Sequence, residues 1–313
     1  VYLDLLRVYH ETVQRGSIRA AAEILNVAPS SVSRVVAELE RRIGTRLLDR
    51  SVGGVIPTHA GRIVAEYARK VVLEYQSLCS DLNDARGMKG VLIRIAVVEG
   101  MVWESAMMPL AKLKRDYDGL VFRVDVLPPS EIGPALKRGD SDVGITLCHQ
   151  ADPELTVAAS VPDPIRLITP VGHPLLGRGP VTMREVAQYS LGLIHETGGL
   201  RRLIDQAALD ENVRLEPVLE SSSVAALRSF VLLGGGVSLL NERTVEMDRR
   251  RGVIQICPVA SEPLEFATID VIKLRTRRLS KILFKLIDDI CAGLKDVKLP
   301  FYADAVSAQS PLL

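Results

Sequence analysis

A chain of 313 residues with 47% hydrophobic content is long enough for two compact units with sizeable cores. No apolar run reaches the roughly 18 residues that span a bilayer, and the first residues mix charged and apolar side chains unlike a signal peptide, so a cytoplasmic protein is expected with no membrane partner. Net charge is +1, yet residues 1–90 hold 13 Lys and Arg against 10 Asp and Glu while the other 223 hold 26 against 28, a weak basic bias compatible with DNA.

The first predicted helix covers 3–15, where Leu5, Leu6, Val8, Tyr9 and Val13 recur near helical spacing before Gly16. Ser17 is placed to cap a second helix with Ala21, Ala22, Ile24 and Leu25 on its apolar side. Asn26, Val27 and Ala28 leave room only for a tight turn. Pro29 then suits the first position of a third helix, because its missing N–H would have no helical partner. Val32, Val35, Val36, Leu39 and Ile43 are its expected buried stripe, and Gly44 its stop. The opposite face opens with Pro29, Ser30, Ser31, Ser33 and Arg34. Small hydroxyls and a guanidinium at the start of a helix entered through a tight turn are suited to the major groove, where Arg grips guanine bidentately. Residues 46–50 and 55–56 read as two short strands around a tip at Gly53 and Gly54, the outline of a wing. Arg50 beside that tip is placed to reach the backbone or the minor groove.

Residues 16–61 resemble the winged helix-turn-helix of LysR-type transcriptional regulators. The matching positions are Ala21, Ala22, Leu25, Ser33, Arg34, Leu39, Glu40, Gly44, Leu47, Arg50, Thr58, Ala60 and Gly61. The resemblance implies that Pro29, Ser30, Ser31, Ser33, Arg34, Arg50, Gly53 and Gly54 contact double-stranded DNA. The chain departs from the family at Ala28-Pro29-Ser30, where relatives have Ser-Gln-Pro. The usual cap hydroxyl and base-reading amide are both absent, so no base preference carries over.

A long helix is predicted from Thr58 to Arg86, with Gly61 as its only glycine and no proline. Val64, Ala68, Val71, Tyr75, Leu78, Leu82 and Ala85 form a seam stepping by four and three, about 33 Å long. Such a seam suits pairing with a second helix or packing on the chain's own core. The resemblance favours the first, implying a homodimer through this linker, a homotetramer built from dimers, and RNA polymerase as a further partner of a bacterial regulator.

From Val91 onward strands and helices alternate. The apolar run Val91–Val98, a helix over 105–117, a strand over 121–127, a helix over 130–138 and a strand over 143–147 make a βαβαβ unit. A second unit follows: strands at 165–169 and 190–195, a helix at 200–212, a strand at 215–219, a helix at 224–233 and a strand at 237–239. Residues 264–274 read as a strand leading to a last helix over 280–294, with an aperiodic tail. The pattern resembles the two-lobed, periplasmic-binding-protein-like effector domain of the same family, through IRIAVVEG, GDSDVGITL, PVGHPLL and VLLGGGVSLL.

The expected organisation is therefore α/β: a DNA-binding domain over 1–57, a linker helix and hinge over 58–90, lobe I over 91–163 plus 268–298, lobe II over 164–267, and a tail over 299–313. In such folds a small-molecule effector sits between the lobes, beyond strand ends and against helix starts, whose unpaired N–H groups favour anions. Glu99, Gly100, Met101, Ser130, His195, Thr197, Gly198, Gly199, Ser222 and Ser223 occupy those places, with helix capping as the alternative role for each. A small anionic metabolite is the expected ligand, with Arg201 at the start of its helix as an assisting cation and Trp103 either flooring the pocket or packing in the core.

Catalysis finds no support. The first strand lacks GxGxxG, since VVEGMVWESA offers Gly100 alone. His195-Glu196 begins no HExxH because Gly199 holds the fifth position. The four cysteines lack metal or disulfide spacing, so no metal and no cofactor are expected. A periplasmic solute receptor and a Rossmann-like enzyme with an added helical domain remain the other classes. The first lacks a signal sequence and the second a catalytic set.

Overall fold

The computed structural model describes residues 2–51, 54–85, 91–101, 104–195, 198–277 and 279–295. They fall into two compact units, one drawn from residues 1–87 with 277–280 and the other from 88–276 with 281–313.

The first unit comprises α1 (Tyr2–Arg15), α2 (Ile18–Leu25), α3 (Pro29–Ile43), the antiparallel strands β1 (Leu48–Ser51) and β2 (Gly54–Pro57), and α4 (His59–Ala85). Ser17 caps α2 through its side chain, accepting from the Ala20 amide. Asn26 ends α2 in the left-handed region at φ 52°, which turns the chain sharply into α3. Pro29 is the first residue of α3, and Gly44 closes it at φ 81°. Leu5, Leu6, Tyr9, Ala21, Ala22, Val32, Val36, Leu39, Leu47 and Ala68 form one buried core, with Val35 at its edge. Ile43 corrects the predicted stripe: it sits in the last turn of α3 and is exposed.

Polar groups fasten the wing to this core. The Glu40 carboxylate accepts the amides of Leu47 (2.7 Å) and Leu48 (3.1 Å), tying α3 to β1. Thr58 caps α4 by accepting the Gly61 amide, and its hydroxyl donates to the Arg46 carbonyl. The Val55 amide donates to the Gly16 carbonyl at 2.8 Å. That approach leaves no room at Gly54, where a Cβ would lie 2.2 Å from the same oxygen.

The second unit holds two five-stranded sheets. Its elements are β3 (Val91–Val97), α5 (Glu104–Asp116), β4 (Leu120–Val126), α6 (Pro129–Arg138), β5 (Val143–Leu147), β6 (Leu155–Pro162), β7 (Ile165–Pro170), α7 (Met183–Val186), β8 (Leu191–Ile194), α8 (Gly199–Asp210), β9 (Leu219–Ser221), α9 (Val224–Leu232), β10 (Val237–Asn241), α10 (Glu246–Arg250), β11 (Ile254–Cys257), α11 (Glu262–Glu265), β12 (Thr268–Leu274) and α12 (Lys281–Lys295). One sheet runs β4-β3-β5-β12-β6 and forms lobe I; the other runs β11-β7-β10-β8-β9 and forms lobe II. β3 is parallel to both β4 and β5, and all but two of its side chains are buried, as the apolar run predicts. β12 lies antiparallel between β5 and β6, with an irregularity at Val271 and Ile272.

The chain passes between the lobes twice, at 163–164 and near Ala267, and the Asp163 amide donates to the Ala267 carbonyl there. β6, α7, α10 and β11 have no counterpart in the sequence reading, and α11 takes the start of the strand expected over 264–274, which forms only from Thr268. The strand predicted over 215–219 forms only at Leu219–Ser221, because Pro217 supplies no ladder donor.

Candidate functional site

The N-terminal unit presents the start of α3. Pro29, Ser30 and Arg34 are exposed on it, Ser31 and Ser33 half-buried. Ala28 provides no side-chain cap, so the first-turn N–H groups of α3 have no capping hydroxyl. The arginines on and near α3 divide by environment. Glu38 binds Arg41 through two contacts of 2.8 Å and Arg42 through one of 2.6 Å, and these neighbours hold its carboxyl down at about 2. Arg62 donates to the Pro57 carbonyl. Arg34, one turn ahead of Glu38, is therefore the guanidinium best placed at the helix start. Arg50 pairs with Val55 in the wing ladder; Gly54 opens β2, while Gly53 lies outside the described residues.

The predicted α4 seam is divided. Ala68 is fully buried in the unit's own core, and Val64 and Val71 pack against it, so these three serve the fold of one chain. Tyr75 and Leu78 are exposed, as are Ile63 and Tyr67, which the seam did not include. At 100° per residue these four fall within an arc of about 120° that also takes in Val64 and Val71, an apolar stripe that continues past what the chain's own core covers. Side chains of Leu82 and Ala85 lie outside the described residues.

Between the two lobes lies a cleft of about 330 Å³. Its walls are the ends of β3, β4, β5, β8 and β10 and the starts of α8 and α9. Glu99, Gly100, His195, Gly198, Gly199 and Ser222 all border it, at strand ends facing helix starts. Met101 ends the one-turn 3-10 helix Glu99–Met101 beside it. Thr197 and Trp103 lie outside the described residues. Ser130 borders an adjoining groove, of about 900 Å³, with Cys148 and Arg202; Pro129, Thr146, Leu147, Gly198 and Gly199 border both.

Most of the remaining wall is apolar, including Val126, Leu127, Leu147, Leu200 and Leu240. Thr146 and Asn241 add buried polar groups that sequence reasoning missed. The only signal for them was a polar residue near the end of an otherwise apolar strand. No Lys or Arg lines the cleft among the described residues. Arg201 does not assist there: it is buried and donates to Asp205, Glu220 and the Ile194 carbonyl.

The expected anion seat at α9 is also corrected. Ser223 caps that helix, accepting from the Ala226 amide, and its hydroxyl donates to one Glu99 carboxylate oxygen at 2.8 Å. The other oxygen accepts the Val224 amide at 3.2 Å. Glu99 therefore occupies the place that Ser223 and the first turn of α9 would offer an external anion. Further contacts join the lobes nearby. Thr244 donates to the Gly100 carbonyl at 3.4 Å and Arg202 to the Cys148 carbonyl at 3.5 Å. A Cβ on Gly199 would lie 2.7 Å from the Leu147 carbonyl oxygen, so only glycine fits that approach.

Among the described residues no group of His, Cys, Asp and Glu could hold a metal ion, and no helix is long and apolar enough to cross a membrane.

Comparison with known proteins gives two family matches. The bacterial regulatory helix-turn-helix of the lysR family matches residues 3–62, and the LysR substrate binding domain matches residues 87–291. A RuBisCO operon transcriptional regulator of Allochromatium vinosum is 24% identical over 79% of this chain and 82% of its own. The HTH-type transcriptional regulator CysL of Bacillus subtilis is 24% identical over 79% and 83%. A full-length OxyR structure from Pseudomonas aeruginosa shares the fold with a TM-score of 0.70, at 20% identity over 94% of each chain.

Proposed function

The chain belongs to the LysR family, DNA-binding transcription regulators with an effector-binding domain and not enzymes, and on that premise we propose that it reads a specific duplex site through α3 and is switched by a small anionic metabolite between its lobes. The observation that carries the DNA reading is the exposed start of α3, where Pro29, Ser30 and Arg34 stand clear of the core and Ser31 and Ser33 flank them. Arg34 reads a base, the serines line the groove, and Arg50 with the wing contacts phosphate. The exposed stripe of α4 pairs two copies, so that two reading helices address two half-sites. A tetramer and a contact with RNA polymerase come with the family and form part of this proposal.

For the effector, the correction at α9 moves the acidic group to α8. Gly198 precedes that helix with no side-chain cap, leaving first-turn N–H groups toward the cleft, and the apolar walls take the ligand body. A ligand switches the protein only by preferring one arrangement of the lobes.

The test is a gel shift on the intergenic DNA upstream of the protein's own gene, run with hits from a thermal-shift screen of organic acids and sugar phosphates. Retardation of that fragment over scrambled DNA at equal salt, changed by a hit, is expected. Equal retardation of both DNAs overturns the DNA reading. Stabilisation that survives Leu127→Glu, which puts a carboxylate into the cleft, overturns the effector site.

A further inference from the structure

We propose that Glu99 sets the charge selectivity of the interlobe cleft: its carboxylate is the built-in occupant of the anion seat at α9. A ligand must therefore present a neutral or cationic hydrogen-bond donor at that end, and not a second acidic group. This inference rests on the effector reading above and narrows it to a ligand with one acidic group, directed at α8.

The geometry is specific. Glu99 follows the end of β3 in lobe I, while Ser223 and Val224 begin α9 in lobe II, so 124 residues of chain separate the hydroxyl from the carboxylate it meets. Both carboxylate oxygens are used, one by the Ser223 hydroxyl at 2.8 Å and one by the Val224 amide at 3.2 Å. A carboxylate on a helix start satisfies orphan donors and the positive end of the helix dipole together. No Lys or Arg of the described wall balances a second anion there, His195 being its one basic side chain, and Arg201 is committed to Asp205 and Glu220. An acidic group brought beside Glu99 would meet a like charge across an apolar, poorly screened space. A hydroxyl or an ammonium would instead find carboxylate lone pairs to donate to.

The same contact bridges the lobes, so the residue that filters ligands also holds this arrangement of them. The Thr244 bond to the Gly100 carbonyl and the close passage of Gly199 over the Leu147 carbonyl lie on the same cleft and close with it. A ligand donor that drew the Glu99 carboxylate off α9 would loosen this bridge, which couples recognition to lobe movement.

The test uses the full-length protein without DNA and acetate as the probe, with amide hydrogen exchange as a local readout. In Glu99→Ala the first turn of α9, from Val224 to Leu227, should exchange about tenfold faster than in wild type. Acetate at tens of millimolar, at constant ionic strength, should restore that protection in Glu99→Ala and leave the turn unchanged in wild type. Glu99→Gln keeps the side chain's bulk and fills the seat, so acetate should not protect its α9 turn either. Unchanged exchange in Glu99→Ala, absence of rescue, or acetate protection of this turn in wild type each overturn the proposal. Should Glu99→Ala not fold, Glu99→Asp, whose shorter side chain withdraws the carboxylate from α9, serves in its place: faster exchange at Val224 that acetate reverses supports the seat, and unchanged exchange overturns it. Protection at the first turn of α8 reports the effector reading separately, so the two can fail independently.

Discussion

The Tyr9 hydroxyl donates to the carbonyl of Gly61, 52 residues along the chain, at 3.0 Å, and lies 3.3 Å from the carbonyl of Leu47. One side chain of α1 thus pins both the start of α4 and the approach to the wing. Burial, with Glu40 nearby, pushes the phenol well above its ordinary range, so it stays a donor at every working pH. Tyr9→Phe should cost about 1 kcal/mol, since the Leu47 carbonyl keeps the Thr58 amide as a partner. Gly61→Ala should cost several times more, because its Cβ would lie 2.0 Å from the Leu47 carbonyl oxygen. Thermal melts of the two variants check the order; an unshifted Gly61→Ala melt would refute the packing.

Arg34→Ala is expected to weaken the specific site by about 1–3 kcal/mol while leaving assembly intact. Footprinting and titration at fixed salt measure it. Arg41→Ala should do much less, because that guanidinium is held by Glu38. Equal losses for the two substitutions would make the effect one of general charge and not of base reading.

Leu78→Glu places a carboxylate on the exposed stripe of α4. If that stripe pairs two copies, the dimer should weaken by roughly 3 kcal/mol, about a hundredfold. Light scattering across a dilution series reads the change. Ala68→Glu should act differently: Ala68 is fully buried in its own chain, so the first unit itself should unfold. A Leu78→Glu protein that assembles like wild type removes the stripe from the interface.

Asp163 gives a pH dependence of defined sign. It sits where the chain first crosses between lobes, 1% exposed, with Arg243 at 3.6 Å and Glu242 and Asn241 around it. Burial pushes its carboxyl up to about 7, against the pull of Arg243. Below about pH 4 folded and unfolded chains both hold the proton. Between there and pH 7 the unfolded chain releases it while the folded one keeps it, so this group's contribution to stability falls as pH rises and levels off above. Asp163→Asn should remove that part of the slope. Melting temperatures from pH 4.5 to 8 for both proteins check it; parallel curves would show that the group does not titrate there.

Much of the fold was legible because local signals agreed with one another. Ser17, Pro29 and Gly44 punctuate the first three helices where capping chemistry says they should, and the run Val91–Val98 reads as a buried parallel strand and forms one over Val91–Val97. β6 was not legible: LTVAASVP is short of large β-formers, and most of its side chains are not buried. Ile43 shares the period of the buried stripe but falls in the helix's last turn, past the core. For α4 the heptad spacing was real, but periodicity cannot say which partner takes each position, and α1 takes Ala68. At the cleft, strand ends and helix starts located the walls. That Glu99 answers Ser223 was invisible, because the two are joined only through the meeting of lobes.

The position of β12 bears on how the protein is made. β3 to β6, and then every strand of lobe II, leave the ribosome before the strand that separates β5 from β6 exists. Lobe II completes its sheet from contiguous chain, whereas lobe I must wait for a segment more than a hundred residues downstream of β5, a slow, long-range closure. A chain that stops before residue 268 leaves β5 and β6 each with an open edge, and open edges recruit other chains. Premature termination products should thus keep a sound second lobe and aggregate through the first.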